Sequence, residues 1–267
     1  MIIGISGKIG SGKDTVGSII QYLDFIKYSK DNLSFEQYLK DNIEDDIKYS
    51  MEGINVGLQN WQVKKFAGKL KEIVALLTGC TVKDLESQEF KDKELGKEWD
   101  YYLGTTNDSN GRFVFTKDTI HNQLNVYPNN KIESYTYRKF LQIIGTDAMR
   151  NQVHENIWVN SLFADYNYLI DKQKDNLNSG ERYPNWILTD MRFNNELKAV
   201  EDRGGITIRV NRDKGFWGNQ SQHMINALHP SETALDNAKF KYVIDNDGTI
   251  EELIEKVKTI LILEKII

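Results

Sequence analysis

Apolar positions along the chain switch between two spacings, and the switching predicts the architecture. Ile2, Ile3 and Ile5 form a short apolar run of the kind found in a buried strand. Beyond a glycine-rich turn from Gly7 to Gly12, Val16, Ile19, Ile20 and Leu23 recur at i, i+3, i+4 and i+7, a helical stripe. Phe66, Leu70, Ile73, Val74 and Leu77 mark a second helix that stops near Gly79. Phe140, Leu141 and Ile144 mark another, interrupted near Gly145, and the stretch from Trp158 to Leu169 also reads as helix. Trp186-Ile187-Leu188-Thr189-Asp190 is a short buried strand ending in an acid. The helix after it carries Phe193, Leu197 and Val200 on one face and stops at Gly204-Gly205. Ile206, Ile208 and Val210 alternate as a strand, and Tyr242-Val243-Ile244 is one more. Asp247-Gly248 turns the chain, Thr249 and Glu252 have capping-box spacing, and Ile250, Leu253, Ile254, Val257 and Leu261 form the last helix.

Strands that alternate with helices predict an α/β fold: a central parallel sheet with helices on both faces. Two polar stretches, at about 24–60 and 86–135, interrupt the pattern and read as insertions in a single domain spanning 1–267. In the first, Ser34 and Gln37 have the spacing of a helix start, in a stretch otherwise read as mobile or substrate-covering. In the second, Phe113 and Phe115 around Val114 suggest a small hairpin or an irregular excursion.

Composition narrows the class. With 267 residues, 40% hydrophobic and 27% charged, the chain is too apolar for disorder. One cysteine, Cys80, excludes an intrachain disulfide framework and a multi-cysteine zinc site. No apolar run approaches the roughly 18 residues of a membrane span, and Met-Ile-Ile-Gly at the start lacks the basic region of a signal peptide. The expectation is a soluble protein of a reducing compartment, the cytoplasm, with no membrane partner. A net charge of −5 gives no global attraction to nucleic acid, so no stable nucleic-acid partner is expected.

Gly7-Lys8-Ile9-Gly10-Ser11-Gly12-Lys13-Asp14-Thr15 carries the chemistry. Glycines let successive N–H groups face inward and cradle an anion, and the helix that follows directs its positive end to the same place. Lys13 adds a mobile full charge for the β and γ phosphates. In the common form of this loop, Ser or Thr follows the lysine and ligates magnesium. Here Asp14 takes that position, so Asp14 or Thr15 would meet the metal, directly or through water. An ordinary glycine turn is the plain alternative, and the flanking strand, helix and lysine weigh against it.

A second phosphate as acceptor would need cations rather than a strong base, because a phosphate monoester is already an anion at neutral pH. Lys71, Arg138, Arg150 and Arg192 are the candidates. Asp190, Arg192 and Glu196 follow a strand at the carboxyl edge of the sheet, where open α/β sheets bind ligands. An Arg192–Glu196 helix salt bridge is the simpler reading of that pair. Trp158 is by default a core residue and otherwise a wall for a nucleobase. His229-Pro230-Ser231-Glu232 reads as a turn into a helix.

Taken in order, several blocks resemble the deoxynucleoside monophosphate kinases of tailed bacteriophages. They are Ile5 to Thr15, Phe66-Ala67-Gly68 with Leu70-Lys71, and Arg138 to Gln142 with Gly145-Thr146-Asp147. Trp158-Val159, Thr189 to Arg192 with Glu196, His229 with Ser231-Glu232, and Asn246 to Leu253 follow. The resemblance implies a P-loop kinase fold, transfer of the γ-phosphoryl of ATP to a deoxynucleoside 5′-monophosphate, magnesium, and a possible homodimer. It assigns Gly10, Ser11, Gly12, Lys13, Asp14 and Thr15 to ATP. Trp158, Asp190, Arg192 and Glu196 fall to the acceptor, with Lys71, Arg138 and Arg150. Lys13, Arg138 and Arg192 become the catalytic cations. A polar lid, 211–229 or part of 86–135, is expected to close over the site and exclude water. Two rivals remain: another small-molecule phosphate kinase, such as one acting on phosphomevalonate, and a nucleic-acid-binding module whose loop holds backbone phosphate.

Overall fold

A computed structural model describes residues 1–28, 33–41, 61–107, 113–119, 131–175, 184–212 and 233–267. Both lid expectations fall partly outside these residues, as does His229 to Glu232. The chain divides into two compact units, one formed by Met1–Phe66 with Val159–Ile267, the other by Ala67–Trp158.

The first unit is built on five parallel strands: β1 (Ile2–Ser6), β2 (Trp61–Lys64), β6 (Asn185–Met191), β7 (Ile206–Asn211) and β8 (Tyr242–Asp245). Their spatial order is β2-β6-β1-β7-β8. This is the α/β architecture predicted from the alternation of periods. Helices α1 (Lys13–Tyr28) and α8 (Ile250–Leu263) cover one face. Their apolar stripes, with Val16, Ile19, Val257 and Leu261 fully buried, pack on Ile3, Ile5, Ile187 and Ile208. Helices α6 (Ile157–Asp175) and α7 (Asn194–Glu201) supply the other layer. There Phe163, Leu197 and Val200 pack on Ile2, Trp186 and Leu188. Each fully buried side chain contributes roughly 1.5–3 kcal/mol, so the sheet face is the main source of cohesion.

Residues 24–28 and 33–41 are more regular than their weak periodicity predicts. Helix α1 runs on to Tyr28, and a short helix α2 at 35–41 begins where Ser34 accepts the amide of Gln37 at 3.2 Å. Phe35 and Tyr38 then pack rings against Tyr22 and Phe25. Aromatic pairing holds this segment where an aliphatic stripe is missing.

Close packing on the sheet positions the start of α1. A Cβ on Gly17 would come within 2.9 Å of the Thr189 Cγ2 on β6, so only glycine lets the helix lie this near the strand.

The second unit contains α3 (Gly68–Thr78), α4 (Gln88–Lys91) and a three-stranded antiparallel sheet in the order β4-β3-β5. Its strands are β3 (Tyr101–Asn107), β4 (Phe113–Thr119) and β5 (Lys131–Glu133), so Phe113 and Phe115 do lie in a hairpin. Helix α5 (Tyr137–Gln142) passes directly into a wide π-helical stretch, Ile143–Val153. The expected interruption at Gly145 is thus a change of helical pitch rather than a break.

Gly17→Val is expected to destabilise the protein by about 1–3 kcal/mol through overpacking against Thr189. Urea denaturation measures it; an unchanged midpoint would contradict the close approach.

Candidate active site

The pairing of β1 with both β6 and β7 creates the place where a ligand can bind. Connections from β1 and β6 leave in opposite directions across the sheet, which opens a crevice at the carboxyl ends of these two strands. The glycine loop from Gly7 to Gly12 emerges from β1 at that point, and α1 starts at Lys13.

Gly10 and Gly12 adopt left-handed φ values of 76° and 96°, a backbone of the kind that lets successive amides face an anion. Ser11 lies beneath the loop with its Oγ buried and without a hydrogen-bond partner among the described residues. Asn246, just past β8, donates its side-chain amide to the Ser11 carbonyl at 2.9 Å and pins the loop from outside. The Lys13 ammonium folds back to donate to the Lys8 carbonyl at 2.8 Å. This contact keeps the ammonium at the loop, where a phosphate anion would offer it a charged acceptor.

The rim of the loop is also braced. Asp236 accepts from Lys8 Nζ and from Arg209, both at 3.0 Å, and Arg209 donates to Ser6 Oγ at 3.1 Å. These four residues join the end of β1, the loop and β7 in one closed circuit.

Asp14 sits in the first turn of α1, where its charge suits the helix dipole. Thr189 Oγ1 on β6 donates to its Oδ1 at 2.7 Å, and Lys65 Nζ, just past β2, lies 3.7 Å from the same oxygen. Thr15 follows on the same turn. The carboxylate is 74% exposed, so it can offer a hard oxygen to a magnesium ion carried by nucleotide phosphates. Among the described residues no group of three or more His, Cys, Asp or Glu is placed to hold a metal ion. An ion that keeps most of its shell from water and phosphates fits this donor set.

Asp190 accepts the Phe66 amide at 2.8 Å and so fixes the lead into α3. Glu196 is 2% exposed, and its Oε2 accepts the backbone amides of Arg192 at 2.7 Å and Phe193 at 3.1 Å. The carboxylate caps the start of α7 and thereby sets the backbone that carries Arg192.

Within the second unit, Lys71 is buried and donates to Glu86 at 2.6 Å. Arg138 donates from Nε to Asp92 at 2.7 Å and from a terminal nitrogen to Gln88 at 3.1 Å. The guanidinium holds the Asp92 carboxyl below the usual carboxylate range. The pair is therefore closed at neutral pH and opens as pH falls through that lowered value. Arg150, also buried, donates to the Glu155 carbonyl at 3.2 Å. Trp158 is 5% exposed among Leu70, Val74, Leu85 and Phe140, and its indole donates to the Gly145 carbonyl at 2.8 Å. That bond ties the indole to the π-helical stretch.

Sequence patterns pointed to the loop and to the Asp190–Glu196 block. They did not point to Lys65, Arg209 or Asp236, whose places depend on strand order. The acid near the end of β6 and the Asn246-Asp247-Gly248 turn were visible, but the tether from Asn246 to the loop was not.

Comparison with known proteins identifies the relatives of this chain. The family model described as deoxynucleotide monophosphate kinase matches residues 1–257. The deoxynucleotide monophosphate kinase of Enterobacteria phage T4 is 28% identical over 97% of this chain and 98% of its own. That of Escherichia phage RB69 is 32% identical over 50% of this chain and 48% of its own. A putative deoxynucleotide monophosphate kinase of Acanthamoeba polyphaga mimivirus is 28% identical over 49% of this chain and 63% of its own.

Trp158→Phe keeps the apolar bulk but removes the bond to Gly145. It is expected to cost about 1–3 kcal/mol of stability in urea denaturation, as a carbonyl loses its buried partner.

Proposed function

The chain belongs to the deoxynucleotide monophosphate kinase family, and on that premise we propose how its residues move a phosphoryl group from ATP to a deoxynucleoside monophosphate. One observation carries the reading: the left-handed glycine loop at the β1–β6 crevice, with the Lys13 ammonium resting on the Lys8 carbonyl. An anion-binding loop, a helix N-terminus and a displaceable lysine together suit the polyphosphate of a nucleoside triphosphate.

In this reading Gly10, Ser11, Gly12 and Lys13 hold the donor phosphates, with Asp14 and Thr15 at the first turn of α1. Lys13 leaves the Lys8 carbonyl and follows the charge that spreads over the transferring group. Magnesium, held through the phosphates and one or both of Asp14 and Thr15, would neutralise charge on the donor oxygens. Arg192, on a backbone set by Glu196, faces the acceptor, with Asp190 fixing the neighbouring segment. Lys71, Arg138 and Arg150 contribute cations for the acceptor phosphate. Each is held on a protein oxygen that phosphate would replace. Trp158, buried and bonded to Gly145, serves the base site as a wall rather than a free stacking face. We further propose that the protein acts in the cytoplasm of a host cell, as a homodimer and with no stable nucleic-acid partner. Among the described residues no helix is long and apolar enough to cross a membrane.

The phosphomevalonate-type rival and the nucleic-acid module predict different substrates. A panel of ribo- and deoxynucleoside monophosphates with ATP is expected to give turnover on at least one deoxynucleotide. Lys13→Ala is expected to lower kcat by about 10²–10³-fold with the fold intact, as for other losses of a transition-state donor. Near-normal turnover in that variant would sink the assignment of the loop.

A further inference from the structure

The Asp14–Lys65–Thr189 contact joins three elements at the carboxyl edge of the sheet, and neither the loop pattern nor the family match accounts for Lys65. Strand register explains how Lys65 reaches this place. Lys64 pairs with Leu188 on β6, and Leu188 pairs with Gly4 on β1, so the three residues lie in one row across the sheet. Lys65 is thus one residue past that row, two strands or about 10 Å from β1. From there its side chain, 24% exposed, runs toward the start of α1 and places Nζ 3.7 Å from Asp14 Oδ1.

The pair with Asp14 adds little stability by itself. Asp14 is 74% exposed, and an ion pair with such a partner adds little to folding. Lysine is also an expensive residue to cover to this degree. The carboxylate is instead anchored by Thr189, a residue 1% exposed on β6, whose Oγ1 donates to Oδ1 at 2.7 Å. A fixed acceptor that aims a lysine along the ligand-binding edge is a positioning device. Lys13 rests on the loop side of Asp14, at the Lys8 carbonyl. Lys65 approaches Asp14 from the β2–β6 side.

We propose that Lys65, aimed by Asp14 and Thr189, is a second catalytic cation that meets the phosphoryl group on the side opposite Lys13. The inference rests on the kinase reading of this site. In the step, the bond from the γ phosphorus to the bridging oxygen of ATP breaks and leaves ADP. A bond from an acceptor phosphate oxygen to that phosphorus forms and gives the diphosphate. Lys65 keeps its proton throughout and shifts from the Asp14 carboxylate to the more highly charged phosphoryl oxygens. Its contribution is charge alone, so arginine substitutes in part and an uncharged isostere does not.

The test compares wild type, Lys65→Met and Lys65→Arg with MgATP and a deoxynucleoside monophosphate. It adds thermal unfolding and calorimetric binding of a non-hydrolysable ATP analogue. Lys65→Met is expected to lower kcat by about 10- to 100-fold. Tm and the affinity for the analogue stay within experimental error, and Lys65→Arg recovers part of kcat. Unchanged kcat in Lys65→Met overturns the proposal, because the contact is then a surface ion pair. A fall in kcat that follows a fall in Tm, without recovery in Lys65→Arg, overturns it as well, because the role is then structural. Wild type inactive on every deoxynucleoside monophosphate would instead overturn the parent reading, visibly before any variant is measured, and Lys65 would fall with it.

Discussion

The parallel pairing of β1 with β6 is the constraint on which the site depends. It sets Gly4 opposite Leu188, so the loop after β1 and the Thr189-Asp190 end of β6 finish side by side. Neither segment has this meaning alone. A glycine loop is a generic anion cradle, and an acid after a strand is a generic sheet edge. Register makes them neighbours, and the fully buried isoleucines and leucines beneath them make the register costly to shift. A slip of one residue would turn Ile3 and Ile5 away from α1 and α8.

Electrostatics follows the same pattern within each of the two units. Cations assigned to phosphate rest on oxygens of the protein: Lys13 on the Lys8 carbonyl, Lys65 beside Asp14, Lys71 on Glu86, Arg138 on Asp92. A protein of net charge −5 can in this way keep ordered positive groups without a broad basic surface. Such pairs are weak where they are exposed, so phosphate can replace the internal oxygen at small cost. Lys8 and Arg209 follow a different logic. Both converge on Asp236 and brace the loop rim instead of waiting for a ligand.

Much of this was readable in the sequence, for a physical reason. The strand at 2–6, the helix from Lys13, the strand that carries Asp190 and the last helix capped by Thr249 all follow from local periodicity and local caps. Thr249 indeed accepts the Glu252 amide, as its spacing predicts. The helix start at Ser34 was readable from its spacing with Gln37, but the ring-on-ring packing of Tyr22, Phe25, Phe35 and Tyr38 that holds it was not, because it leaves no simple period. Glu196 accepts the Arg192 and Phe193 amides, a helix-capping role that the i, i+4 spacing of Arg192 and Glu196 does not express. Lys65 and Asp236 were invisible for another reason. Their meaning arises from strands that are adjacent in space and distant in sequence, and periodicity carries no information on that order.

Phosphorus NMR of the protein with MgATP and one deoxynucleoside monophosphate tests the central claim most directly. The account predicts paired α and β resonances of a deoxynucleoside diphosphate, growing in step with ADP at one to one and with no inorganic phosphate. Accumulation of ADP and inorganic phosphate without the deoxynucleoside diphosphate would contradict it, because the loop would then serve hydrolysis rather than transfer.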